Sequence, residues 1–563
     1  MLRRSPFLAL LAVVSLTFGV LSQYDVFADE KKTEAKKDEP ALGQDPHKLA
    51  DGLSKLFDQL LAESKIKPSK LCDDDTFLRR AYLDLVGRPP LPREIDEFNP
   101  GSRKDAFGNK GDDKRPALID RLLESPEHAR HFADMWTVIT IGRDADGNSK
   151  RFLRQYLETS FAQNKPWSEM VYDMVAVIGD TTEHPEVGYL MSFENKPQDM
   201  VGITSKVFLG KQIQCAECHD HPYEDFTQND FRGMQAFFTH GRTGARGDGA
   251  NRVWYTRGDK VVKDKHDALV HNVGKQWLYP QFIGRESYEL TLGKTLRQSL
   301  AEWMTSPDNT YFREMGVNRY MAYFLGMGFV TPVDDFNSLN EPSFPKVLEI
   351  MGKDFAASGY DTRYLIRAIM NSDLYQREVD TNRTNRNDFK YYSRAYVRKL
   401  TPEQIHRSIL HVVGIERLNQ VEPIRDVPEN QLTPEEKASK KILDGVNGWK
   451  GHIYNQMRIA YGAEPDMREL GDYDGTIVQA LMLLNSHLLG PGWLTNSIDK
   501  ICEEHANHND RVRAIFMTVL GRRPTARDAA IMGGVMANWG GGNAVYEDLF
   551  VALMNTTEFA TNH

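Results

Sequence analysis

The chain is poor in cysteine, with four in 563 residues, too few for a disulfide-dense scaffold. It also lacks an excess of positive charge: 70 Lys and Arg stand against 79 Asp and Glu, for a net charge of −9. With no basic stripe, binding that relies on neutralising phosphates is excluded, and no nucleic-acid partner is expected. A mean hydropathy of −0.51 excludes a polytopic membrane protein. There is no G-x-S-x-G elbow, no Walker loop and no dinucleotide fingerprint. An ordinary α/β-hydrolase, an ATPase and a Rossmann dehydrogenase are therefore unsupported. What is present is ordinary for a soluble globular chain, 40% hydrophobic and 26% charged, and long enough for several domains.

Residues 1–28 read as a secretory signal. Arg3 and Arg4 supply the positive end, Phe7 to Leu21 is an apolar run too short to span a bilayer, and Val26-Phe27-Ala28 places small residues before Asp29. Residues 29–48 are charged and aperiodic, a disordered tether. The expectation is a periplasmic or secreted protein with no membrane span once the signal is cleaved.

Beyond the tether, helical spacing dominates. Phe77, Leu78, Ala81, Tyr82 and Leu85 share one helix face, closed by Gly87 and the Pro89-Pro90 pair. Val512, Ile515, Phe516, Val519 and Leu520 repeat that face before Gly521 and Pro524. The two stretches, LVGRPPLPRE (85–94) and VLGRRPTARD (519–528), are each followed by a second match, LLESPEH (122–128) and LMNTTEF (553–559). The same order at nearly the same separation points to a duplicated helical module. A third, partial copy is IMNSDLY (369–375). Arg79, Arg80, Asp84 and Arg88 are expected to form buried ion pairs around the repeat.

The fold expected is mainly α: a helical domain over 49–240, a Gly/Arg-rich insertion with a small β-hairpin over 241–290, and a second helical domain over 291–563. Within the insertion, VWYTRGDKVV reads as a hairpin turning at Gly258-Asp259, so Arg257-Gly258-Asp259 is a turn and not an adhesion signal. Asp426 to Gly451 is a polar break.

One stretch is chemically loud. Cys215-Ala216-Glu217-Cys218-His219 has the C-x-x-C-H spacing of c-type haem attachment. Two thiols three residues apart can each add to a vinyl group of one porphyrin edge, and the adjacent imidazole then ligates the iron. Here Cys215 and Cys218 are the anchors of a haem c, His219 the proximal ligand, and Asp220 and His221 the groups that set its surroundings. Met234 and His240 are candidate distal ligands. A capping box at Thr227-x-x-Asp230 starts a helix whose Phe231, Phe237 and Phe238 either wall the haem or fill plain core. Three readings compete. Cys215, Cys218 and His221 form a ligand set for zinc or iron. Cys215 and Cys218 close a disulfide. His219-Asp220-His221 acts as an acid/base group.

FLRRAYLDLVGRPPLPREIDEF (77–98), FLGKQIQCAECHDHPYEDFTQNDFRGMQAFF (208–238), VNRYMAYFLGMGFVTPVDDFNSLNEPSFP (317–345) and VRKLTPEQIHRSI (397–409) together resemble the planctomycete cytochrome-like proteins that join the DUF1549 (PSCyt2) and DUF1553 (PSD1) domains. The resemblance implies an exported, helical, two-domain protein that works with a separate cytochrome c module as redox partner, and it places the family motif on Cys215, Cys218, His219, Asp220, His221 and Pro222. Members carry a histidine where this chain has Phe344, and Glu341 replaces a proline. A distal-ligand role at that position is closed to this chain.

Two smaller features complete the reading. Asp334, Asp335, Asn337 and Asn340 offer oxygen ligands for Ca²⁺ or, as the bland alternative, form a turn into Ser343 as helix cap. Cys72 and Cys502 each precede a copy of the repeat and are expected to pair. The function expected is haem-dependent electron transfer or redox chemistry. Its rivals are a Cys/His metal-dependent extracellular enzyme, such as a hydrolase, and a non-catalytic binding or assembly protein held by a CxxC disulfide.

Overall fold

A computed structural model describes residues 42–99, 114–222, 224–248, 252–271, 277–285, 291–412, 437, 491–539 and 543–563. The expected signal sequence, most of the tether and all of the break after Asp426 except residue 437 lie outside the described residues. The fold is mainly α. In chain order the first half holds α1 (Pro46–Glu63), α2 (Asp74–Val86), α3 (Pro92–Phe98), α4 (Lys114–Glu124), α5 (Pro126–Ile141), α6 (Gly147–Ala162), α7 (Trp167–Ala176), α8 (Val187–Met191), α9 (Pro197–Leu209) and α10 (Gln228–Ala236). Strands β1 (Arg242–Arg246), β2 (Val253–Arg257), β3 (Val270–His271) and β4 (Trp277–Leu278) follow. The second half holds α11 (Leu296–Thr305), α12 (Thr310–Leu325), α13 (Pro345–Ala357), α14 (Thr362–Asn371), α15 (Asp373–Gln376), β5 (Arg398–Lys399) and α16 (Pro402–Val412). It ends with α17 (Pro491–Glu504), α18 (His508–Leu520), α19 (Ala526–Trp539), α20 (Ala544–Met554), α21 (Thr557–Ala560) and β6 (Thr561–Asn562). Among the described residues no helix is long and apolar enough to cross a membrane.

The repeat is a repeat in three dimensions. Helices α2 and α18 are both 13 residues long, start on a side-chain cap (Asp73 and Asn507) and stop on a left-handed glycine, Gly87 at φ 75° and Gly521 at φ 68°. The next residue in each copy is an arginine, and the two share four bonds, to which Arg88 adds one from Nη2 to Glu94. Arg88 grips Glu127 through Nε and Nη2 at 2.9 and 2.7 Å, and sends Nη1 to Glu94 at 2.9 Å and to the Pro89 carbonyl. Arg522 grips Glu558 through Nε and Nη2, and sends Nη1 to Asp528 at 2.8 Å and to the Arg523 carbonyl. A planar guanidinium fork suits this double carboxylate grip, which holds the helix end onto the following helix pair. The partial copy IMNSDLY keeps the break between α14 and α15 at Ser372, whose hydroxyl turns back to the Ile369 carbonyl, but has Leu374 where the glutamate would stand.

The two copies pack against each other. A Cβ on Gly521 would come within 2.7 Å of Pro90 Cδ. Arg523 bonds Asp75, Asp96 and the Asn99 carbonyl. Arg79 donates to the carbonyls of Leu520 and Glu558, which helix ends leave without an intrahelical partner, and to that of Thr561 in β6. Of the ion pairs expected here, Arg88 and Asp84 make them, whereas Arg79 and Arg80 bond backbone carbonyls instead. The main apolar core runs from Leu53 to Met517 through both halves of the chain, and a second cluster joins Leu83 to α16, α18 and α20.

The hairpin differs from expectation. VWYTR is its second strand, and its partner is Arg242–Arg246, in the register Arg242 opposite Arg257. Gly258, at φ 85°, only ends β2. Asp259 leaves the strand to meet Arg297 at 3.0 and 2.7 Å, with side chains 7% and 2% exposed. A buried pair decides the path there, and a Gly-Asp turn signal does not register it. Ser343 is not a helix cap. The cap of α13 is Phe344, Pro345 opens the helix, and Phe344 packs edge-on to Phe57 and Phe329. Cys72 and Cys502 are both free. Cys72 belongs to the main core and Cys502 packs on the second cluster, where its thiol faces the Asn543 side chain.

The glycines supply the first prediction. Gly87→Ala and Gly521→Ala each force a side chain into a left-handed, occupied position and should cost about 1–3 kcal/mol in urea unfolding. Gly52→Ala, inside α1 with nothing within 4 Å of the new Cβ, should stabilise by about 0.5–1 kcal/mol.

Candidate functional site

The C-x-x-C-H residues sit on the surface. A 3₁₀ turn, Ile213–Glu217, carries Cys215, and both Cys215 and Cys218 are exposed free thiols. His219 is exposed, with Nδ1 on the Asp220 carbonyl at 2.7 Å. The neighbouring groups do local structural work. Asp220 accepts the Gln228 amide at the start of α10, and His221 Nδ1 accepts the Glu224 amide. Pro222 is exposed in the same turn. The capping box at Thr227 and Asp230 is formed, but Phe231, Phe237 and Phe238 are at most 1% exposed and belong to the core. Met234 is equally buried, and His240 is half-buried beyond the end of α10. A haem needs an apolar crevice beside its thiols, and here the apolar side chains are spent on the protein's own core. Among the described residues no group of three Cys, His, Asp or Glu side chains is placed to hold a metal ion. That includes the Asp334 loop. Its side chains are taken up by Arg319, Lys206 and Gln212, and Asn337 and Asn340 fold back onto the Asp335 carbonyl, so it is a turn.

The chemistry of the fold converges elsewhere, on Asp84. Its side chain, 1% exposed, accepts a two-pronged bond from Arg398 at 2.9 and 2.7 Å, the Tyr375 hydroxyl at 2.9 Å and the Asn562 amide at 2.8 Å. Burial alone would lower the pKa of Arg398, and the Asp84 carboxylate outweighs it and raises it. The Asp84 carbonyl takes the Tyr323 hydroxyl at 2.9 Å, and His131 Nε2 meets the same hydroxyl at 2.8 Å. Tyr323 has one hydrogen to give, so Nε2 carries the imidazole proton and Nδ1 is bare. Nδ1 has no hydrogen-bond partner and lies 2.6 Å from where a Gly87 Cβ would stand. Burial drives the His131 pKa well below its ordinary value and the Tyr323 pKa well above.

Beside this network lies a cleft of about 70 Å³. One wall is a single face of α5, where His131, Met135, Val138 and Ile139 follow helical spacing. The opposite side is Tyr323, Arg398, Lys399, Gln404 and Asn562. At one end Arg143 meets Glu403 at 3.0 and 3.1 Å. Burial would raise the Glu403 pKa, but the bonds from Arg143 hold it below the usual carboxylate range. The cleft therefore has an apolar wall and a polar side whose acidic groups are already paired, the usual make-up of a small-molecule site.

Residues 53–243 match the family PSCyt2, described as a protein of unknown function (DUF1549), and residues 296–536 match PSD1, described as a protein of unknown function (DUF1553). The chain is a DUF1549–DUF1553 protein. No curated protein and no solved structure matches it. Both DUF1549 and DUF1553 are described without a function, and the C-x-x-C-H stretch builds no haem crevice, no metal cluster and no disulfide. The electron-transfer reading and its Cys/His-metal and CxxC-disulfide rivals are therefore overturned. Sequence reasoning missed the cleft. The one available signal was the repeat: continued three residues past LLESPEH and LMNTTEF, its register sets His131 against Asn562.

Two predictions follow from the network. Asp84→Asn strands Arg398 in the interior and should cost about 3–5 kcal/mol, read as a lowered urea midpoint. Burial also pushes His128 down to about 3 from an ordinary 6.5. His128 and His131 bind fewer protons folded than unfolded, so stability is full above pH 6.5 and falls as pH drops below it. Each contributes a slope of about 1.4 kcal/mol per pH unit. His128→Asn keeps a donor for the Leu85 carbonyl and should remove one of the two slopes from the pH 5–6.5 stability profile.

Proposed function

We propose that this DUF1549–DUF1553 chain is a periplasmic or secreted binding protein whose cleft beside Asp84 takes a small molecule with an apolar body. The observation that carries the reading is the cleft itself: an apolar face of α5 opposed by polar groups in fixed positions at the meeting point of α5, α12, β5, α16 and β6. Export is supported by Arg3, Arg4, the apolar run from Phe7 and the small residues at Val26 and Ala28.

Binding is favoured over proton-transfer chemistry by the state of the lining groups. His131 is held neutral by burial, Tyr323 is held protonated, and Glu403 is held ionised by Arg143. An acid or base works best with a pKa near the working pH. These groups are moved away from it. Fixed polar groups of this kind orient a ligand and reject shapes that leave them unpaired.

The test uses 8-anilinonaphthalene-1-sulfonate, an aromatic probe that brightens in apolar sites, titrated into the full chain. Saturable binding is expected, weakened about tenfold or more by Ile139→Trp, which fills the cleft. An unchanged titration with an unchanged melting temperature would remove the cleft as the binding site.

A further inference from the structure

On its other side Arg398 borders a second, much smaller cavity, walled also by Arg80, Arg394, Tyr375, Tyr392 and Tyr396. It has room for about one water-sized occupant. Three donors of this wall have no hydrogen-bond partner: Nη2 of Arg80, Nε of Arg394 and the hydroxyl of Tyr392. Arg80 is 2% exposed and Tyr392 1%. The remaining bonds of Arg80 go to the carbonyl oxygens of Tyr375 and Arg377 and, at 3.4 Å, to the terminal main-chain oxygen of His563.

The charges nearby are already committed. Asp84 is held by Arg398, Asp58 by Arg377, and Asp388 by the amides of Lys390, Tyr391 and Ser393. Arg394 lies over the rings of Phe389 and Tyr396. Three guanidinium groups thus border this space, with Asp84 on Arg398 and the terminal oxygen of His563 on Arg80, and none of them has a carboxylate inside the cavity wall. A buried donor without an acceptor is costly, and the unpaired atoms all donate. Donors without acceptors, positive charge in surplus and room for one small sphere describe the same occupant.

We infer that this cavity is a binding site for a monatomic anion of chloride size, held by Arg80, Arg394 and Tyr392. Arg394 is only half-buried and gives the ion its way in from solvent. The ion would lock the segment from Tyr392 to Arg398 against α2 and α15, on the far side of Arg398 from the cleft. The site does not depend on the cleft holding a ligand.

Thermal melting of the full chain in sodium chloride, sodium bromide or sodium gluconate at matched ionic strength tests this. The melting temperature should rise saturably with chloride and bromide and stay flat with gluconate. Tyr392→Phe keeps the buried ring and removes one donor to the ion, so it should move the chloride midpoint about tenfold higher. Crystals grown in bromide should show an anomalous peak between Arg80 and Tyr392. Equal melting in chloride and gluconate, a Tyr392→Phe midpoint equal to wild type, or density without an anomalous peak would each overturn the proposal, the last by assigning the cavity to water.

Discussion

The buried carboxylate of Asp84 is the constraint around which the described fold is arranged. It is 1% exposed and accepts from Arg398, Tyr375 and Asn562. Its own carbonyl joins it through Tyr323 to His131. Five segments, far apart in sequence, meet at one residue of α2. A buried ion pair adds little net stability over a well-packed apolar set, since desolvation offsets the attraction. Removing one partner is severe, because it leaves a charge with nowhere to go. What Asp84 supplies is therefore selectivity: only one docking of β5, β6 and α15 onto α2 satisfies every group at once.

The repeat explains why those segments arrive together. Each copy of the short motif breaks a helix at a capped residue and sends the chain back towards α2. The first copy leads to His131, the second to Asn562 and the third to Tyr375, and all three reach the Asp84 network, through its carbonyl or its carboxylate. Arg88 and Arg522 hold the two full copies in shape with the same pattern of bonds. Arg79 then grips carbonyls from the second copy. Burial without a full carboxylate partner pushes its pKa down to about 10. That value still leaves it charged at neutral pH, so the carbonyl dipoles of α18 and α21 face a permanent cation.

How much of this was legible follows the range of each interaction. The stops at Gly87 and Gly521 and the capping box at Thr227 depend on residues three or four positions apart, and the sequence pattern shows them. The twin motifs betray the duplication because the arginine clamp needs the same residue types at the same spacing. The partners of the Asp84 carboxylate lie 291 to 478 residues away, and no local pattern announces them. Ion pairs are expected for Arg79 and Arg80 because a sequence invites pairing of opposite charges, while buried arginines here serve the carbonyl ends of helices. The hairpin begins one strand earlier than its pattern suggests because Arg242–Arg246, rich in arginine and with a glycine at its centre, has none of the alternation that marks a strand.

The C-x-x-C-H stretch fails for a different physical reason. Its spacing states what the side chains are able to bond, and says nothing of the surroundings that such bonds need. Covalent haem requires an apolar slot against the thiols. In this chain the adjoining aromatics close onto Phe282 and the rest of the core, and the thiols and His219 remain in solvent. The cleft shows the converse. None of its residues forms a motif, yet packing places an apolar helix face opposite paired, hydrogen-bonded groups whose protonation is fixed. Such a wall gives shape and polarity without reactivity. It is the chemistry of recognition, and it lies where the two copies of the repeat are held together.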